Sequence, residues 1–106
     1  MFAMNQIERF SQQIGAEFHP EKVILFGSYA EGTATSDSDV DLLVIWPFQG
    51  RSIDKSVEIR LKLRPRFPVD LIVRTPEEVR QRVKMGDGFM QDILKEGKVL
   101  YEADNR

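Results

Sequence analysis

The spacing of apolar residues changes along the chain, and each change predicts an element. Ile7, Phe10 and Ile14 recur at intervals of three and four, the pattern of an amphipathic helix, with Gly15 near its end as a stop signal. "KVILFG" (22–27) is short, β-branched and aromatic, and reads as a buried strand that stops at a glycine. "DVDLLVIW" (39–46) is a second strand by the same criteria, closed by Pro47 and Gly50. Between the two, a helix of little more than one turn starts at Ser28 and ends at Gly32, followed by a polar loop. "SIDKSVEIRLKLRP" (52–65) predicts a helix capped by Ser52, with Ile53, Val57 and Leu61 as its apolar row and Pro65 at its end. "FPVDLIVRT" (67–75) is a third strand, and "TPEEVRQRV" (75–83) opens a helix with Thr75 at the cap and Pro76 in the first turn. The pairs Phe89/Ile93 and Met90/Leu94 predict a last helix, and "KVLYE" after Gly97 a final edge strand.

This alternation gives an α/β (α+β) class with a mixed sheet flanked by helices. With 106 residues and no internal repeat or linker-like stretch, the expectation is one domain spanning residues 1–106. The chain has no cysteine, which excludes disulfides and thiolate metal sites and agrees with a reducing cytoplasm. Its net charge of −2 gives no global attraction to nucleic acid or to an anionic membrane. The longest strictly apolar run, Leu42 to Trp46, is far too short to cross a bilayer, and "MFAMNQIERF" lacks the order of a signal peptide. A cytoplasmic protein without membrane or direct nucleic-acid binding is the expectation.

Candidate chemistry concentrates in "LFGSYAEGTATSDSDVDLLVIW" (25–46). A phosphate-binding P-loop fails, because Thr33 and Ala34 follow Gly32 where Lys and Ser/Thr are required. A calcium loop counted from Asp37 fails too, with Leu42 at its sixth position and Phe48 at its twelfth. Geometry offers a third reading. Residues two apart in a strand point to one side, so Asp39 and Asp41 present two carboxylates together. Their repulsion calls for a divalent cation, and hard oxygen donors without His or Cys suit Mg²⁺ or Mn²⁺, which complete their shell with water and substrate phosphates. Gly27 and Ser28, where a strand turns into a helix, would direct backbone N–H groups and a hydroxyl at an anion. Asp70, the one acid interrupting the apolar run "PVDLIV", is the candidate third carboxylate for two-metal chemistry.

Gly27-Ser28, the ten residues 29 to 38, and Asp39-Val40-Asp41 resemble the signature of the nucleotidyltransferase superfamily typified by DNA polymerase beta. The flanking "SDSDVDLLV" and the short length are similar to its minimal nucleotidyltransferase (MNT) group, over nearly the whole chain from "HPEKVILFGSYAEG" to "ILKEGKVLYE". One departure is Glu31, where relatives commonly carry arginine. The resemblance implies a Mg²⁺-dependent enzyme, with two ions on Asp39, Asp41 and Asp70 and ATP gripped by Gly27 and Ser28. It further implies an antitoxin that moves AMP from ATP to a tyrosine hydroxyl of a HEPN-domain ribonuclease toxin. Two alternatives stay open: an antitoxin that only covers its toxin, and a transferase acting on a small molecule or an RNA end.

Other features have plainer readings. His19, the lone histidine, precedes Pro20 and is expected in a surface loop. Arg51, Lys55, Arg60, Lys62, Arg64 and Arg66 are interleaved with Asp54 and Glu58, which predicts a solvated helix face. Phe89, Met90, Ile93 and Leu94 read as core, as do Trp46 and Phe48.

Overall fold

The computed structural model describes residues 2–104, and its strands form one four-stranded sheet. In chain order the elements are α1 (Met4–Phe18), β1 (Lys22–Phe26), α2 (Ser28–Glu31), β2 (Val40–Ile45), α3 (Ser52–Leu63), β3 (Val69–Arg74), α4 (Pro76–Lys84), α5 (Gly88–Glu96) and β4 (Lys98–Glu102). The strand order is β3-β2-β1-β4, with β1 antiparallel to both of its neighbours and β2 parallel to β3. Parallel pairing of β2 and β3 requires a crossover, and α3 supplies it. The sheet is mixed, and β4 is an edge strand as predicted.

Helices cover both faces, which is why β2 reads as a continuous apolar run after Asp41. On one face Val23, Leu25, Leu42, Val44 and Leu71 pack with Ile7, Phe10 and Ile14 of α1 and Ile59 of α3. On the other, Ile24, Leu43 and Ile45 pack with Val79 of α4 and with Met90 and Ile93 of α5. Thr75 caps α4 as expected: its hydroxyl accepts from the Glu78 N–H at 3.1 Å, and the Glu78 carboxylate accepts from the Thr75 N–H at 2.9 Å. In α5 only Met90 and Ile93 enter the core, and Phe89 and Leu94 remain exposed.

Three local expectations are corrected. Helix α1 does not stop at Gly15 but runs to Phe18 and ends at His19, in the left-handed region with φ 53°, ahead of Pro20. Gly15 is a packing glycine: the Tyr101 ring of β4 lies where a Cβ would stand. Ser52 is not the cap of α3, because Arg51 holds that position; the Ser52 hydroxyl accepts a hydrogen bond from Arg74 at 3.2 Å. The row Ile53, Val57 and Leu61 does not face the core either. These residues are 60%, 44% and 68% exposed, whereas Ser56 and Ile59 are buried. At about 100° per residue, Ile59 lies on the other side of the helix from that row, and the sheet accepts the narrower side.

Candidate active site

Pairing register brings the candidate carboxylates together. Phe26 of β1 is opposite Asp41 of β2, and Asp41 is in turn the register partner of Asp70 on β3. Adjacent strands lie about 4.8 Å apart and partners share a face, so the two side chains start as neighbours. Asp39 precedes β2 by one residue, two positions from Asp41. The loop before it is closed by hydrogen bonds between Thr35 and Ser38, with Thr35 N–H donating to Ser38 Oγ at 2.9 Å and Ser38 N–H to the Thr35 carbonyl at 3.1 Å. The Val40 N–H donates to the Pro68 carbonyl at 3.0 Å, which ties the start of β2 to the approach of β3.

Electrostatics agree with the register. The Asp41 carboxyl is held above its ordinary value, first by burial, then by the charge of Asp70 and then by that of Asp39. Asp39 and Asp70 are exposed, and Asp41 is half-buried between them and Gly27.

The Gly27 backbone has φ 73° and ψ −155°, a conformation that strains any residue with a side chain, and a Cβ there would collide with Asp41 Oδ2. Glycine is thus required twice over. Helix α2 begins at Ser28, its first turn closed by the Ala30 and Glu31 N–H groups donating to the Gly27 carbonyl at 3.0 Å each, and Gly32 ends it in the left-handed region. Tyr29 anchors this short helix: it is buried in the core, and its hydroxyl accepts from the Phe2 N–H at 3.1 Å.

Beside Gly27 opens a pocket of about 270 Å³ lined by Phe26, Ala30, Glu31, Phe89, Asp92 and Glu96, among others. Phe26 and Phe89 meet edge to face, with centroids 5.6 Å apart. The α5 contribution lies outside the Gly-Ser and aspartate motif. Its signal is the i, i+4 pair Asp92/Glu96, on the solvent side of a helix whose Met90 and Ile93 face the sheet.

Other candidates lie elsewhere. His19 is exposed ahead of β1, at the end opposite Gly27. Trp46 follows the far end of β2, packed against Phe18 at 5.3 Å with the Lys55 ammonium 5.3 Å from its ring centre. Neither reaches the carboxylates.

Among the described residues, no three His, Asp or Glu side chains are already gathered as a cage for a metal ion. The donor chemistry still fits a hard divalent cation of the magnesium type, which binds through one or two carboxylates and takes its remaining ligands from water and substrate phosphates. The like charges facing Asp41 are what such a cation would offset.

Comparisons with known proteins bear on this arrangement. Residues 4–100 match the family described as "Nucleotidyltransferase domain". Two relatives come from Methanocaldococcus jannaschii. "Putative protein adenylyltransferase MJ0604" is 33% identical over 81 residues, covering 76% of this chain and 78% of the relative. "Putative protein adenylyltransferase MJ1305" is 34% identical over 107 residues, covering 95% and 73%. Among solved structures, a putative nucleotidyltransferase from Sulfolobus solfataricus superposes with a TM-score of 0.63 at 21% identity, over 92% of this chain and 78% of that one. A toxin-antitoxin solved with AMP-PNP superposes with a TM-score of 0.59 at 22% identity, over 92% and 74%. The two solved structures share the fold, and the family match takes in β1 to β3, Gly27-Ser28 and the three aspartates alike: the chain belongs to the nucleotidyltransferase domain family and is a nucleotidyltransferase.

Proposed function

We propose that this protein transfers AMP from ATP to a hydroxyl group of a partner protein, a tyrosine of a HEPN-domain toxin, and thereby acts as its antitoxin. The observation that carries the reading is the register of Asp41 with Asp70, two residues from Asp39 and beside Gly27. It supplies an anionic cluster next to a glycine turn, the combination that phosphoryl chemistry needs. The names of the two Methanocaldococcus relatives support protein as the acceptor, and the toxin-antitoxin neighbour supports a toxin as the partner.

In this reading Gly27 and Ser28 bind the triphosphate through backbone N–H groups and the Ser28 hydroxyl. Asp39, Asp41 and Asp70 hold Mg²⁺, which when bound offsets phosphate charge and lowers the pKa of an attacking hydroxyl. Asp70, exposed at the edge strand, accepts the proton of the acceptor hydroxyl. The acceptor oxygen forms its bond to the α-phosphorus, the bond from the α-phosphorus to the bridging oxygen breaks, and pyrophosphate leaves.

The test is intact-mass spectrometry of the protein that co-purifies from native cells, after incubation with ATP and Mg²⁺. The expected result is a gain of one or more AMP units on the partner with wild type and none with the Asp39→Asn/Asp41→Asn double variant. A stable complex that gains no mass would instead make the protein a covering antitoxin, and turnover without any protein partner would make it a transferase for small acceptors.

A further inference from the structure

Helix α3 carries Ile53, Val57 and Leu61 in one row on its solvent side. Its contact with the sheet is already made through Ser56 and Ile59. Each exposed aliphatic leaves unrealised part of the roughly 1.5–3 kcal/mol that full burial supplies. An aligned row rimmed by charge is the signature of an interaction surface.

The rim has a sign. From Arg51 to Arg66 six cations stand against two acids, +4 in a chain of net −2. Both acids are already neutralised on the helix, Asp54 by Arg51 at 3.1 Å and Glu58 by Lys55 at 3.3 Å. Among the described residues, Arg60, Arg64 and Arg66 have no carboxylate within ion-pair distance. The charge left free at the C-terminal end of the row is therefore cationic. Lys62 is paired with Glu17 of α1 at 3.2 Å, but a second copy of the chain would still set the cations of Arg60, Arg64 and Arg66 against their like, and a nucleic acid backbone offers nothing to the aliphatic row. A helix with its own apolar row and flanking carboxylates satisfies both features.

Its position matters as well. The Arg60 guanidinium donates to the Val69 carbonyl, which fastens the C-terminal turn of α3 to the start of β3, one residue before Asp70. By strand alternation the Asp41 and Asp70 side chains point to the other face of the sheet, the one covered by α4 and α5, so a partner seated on α3 leaves them uncovered.

We propose that the outer face of α3 is a docking surface for an acidic amphipathic helix of a protein partner.

The experiment titrates the full chain, without ATP or Mg²⁺, against a labelled helical peptide with leucines at i, i+4 and i+8 and flanking glutamates, and against its twin with lysines in place of the glutamates. The acidic peptide should bind in a salt-sensitive manner. Its affinity should fall at least about tenfold in Val57→Asp and, separately, in Arg64→Glu/Arg66→Glu, each confirmed folded by its melting curve, an expected loss of about 1.4 kcal/mol or more. The lysine twin should not bind. No binding of the acidic peptide, or equal binding of both peptides, overturns the proposal. So does a concentration-dependent dimer of the free chain, seen by sedimentation and abolished by Val57→Asp, because the occupant is then a second copy. Docking retained by the Asp39→Asn/Asp41→Asn variant, with no AMP transfer by wild type, would overturn the proposed transfer reaction and leave the docking surface standing.

Discussion

Helices α1 and α3 pack on the same face of the sheet, and each carries a row of large apolar residues at helical spacing. In α1 the row Ile7, Phe10 and Ile14 is buried completely or nearly so. In α3 the row Ile53, Val57 and Leu61 faces water, and the helix is held by Ile59, with Ser56 beside it and Arg60 on the β3 backbone. Strand β2 repeats the contrast over three residues: Leu42 and Leu43 are wholly buried, whereas Asp41 is half-buried among like charges. The core-facing half of the protein satisfies itself. The outer face of α3 and the aspartate end of the sheet leave apolar surface and charge that a second molecule would complete, and these are the two places where binding is proposed.

The largest effects should come from the self-satisfied part. Ile14→Ala and Ile59→Ala each remove a fully buried side chain and should cost about 2–5 kcal/mol in denaturant unfolding. If Ile59→Ala were mild and Leu61→Ala severe, α3 would be packed the other way round and the contrast would collapse. Next comes Gly15→Ala, which sets a methyl into the Tyr101 ring and should destabilise by about 1–3 kcal/mol. In a Tyr101→Ala background the same change should become stabilising by about 0.5–1 kcal/mol, because alanine is the better helix former.

Asp41→Asn is a smaller effect with a defined sign. A carboxyl raised above its ordinary value binds its proton more tightly in the folded state, so it favours the fold below the usual carboxylate range, and this contribution is lost as pH rises through the raised value. At neutral pH without divalent cation, Asp41→Asn should therefore melt higher than wild type, by up to a few degrees. The gap should close on acidification and shrink when Mg²⁺ is added to the wild type. A lower melting temperature at neutral pH would show that ionised Asp41 has a stabilising partner. The smallest effect is expected for Leu61→Ser, within about 0.5 kcal/mol of wild type, while binding of the acidic peptide should suffer.

Much of this was legible in the residues. Helical spacing marked α1, α3 and α5, and short β-branched, apolar runs marked the strands, because side-chain direction repeats with the backbone and a sheet covered on both faces buries every residue of its inner strands. Turn chemistry located the ends at Gly32, Pro65 and Thr75. Gly27-Ser28 and Asp39-Val40-Asp41 could be read as a site because strand alternation places Asp39 and Asp41 on one side. Gly15 was misread, since a helix-stopping glycine and one that admits an aromatic ring look alike until β4 brings Tyr101 across from the far end of the chain.

The sequence by itself determined which segments are helix and strand, the family, and the identity of the candidate carboxylates, since each depends on residues near one another in the chain. Only the tertiary structure decided that Asp70 stands in register with Asp41, that Phe89, Asp92 and Glu96 line the pocket beside Gly27, and that α3 turns Ile59 inward and its longer apolar row to the solvent. Periodicity gives a helix an apolar side, but which side is buried depends on where the crossover sets the helix on the sheet, and that is fixed by contacts between residues far apart in the chain.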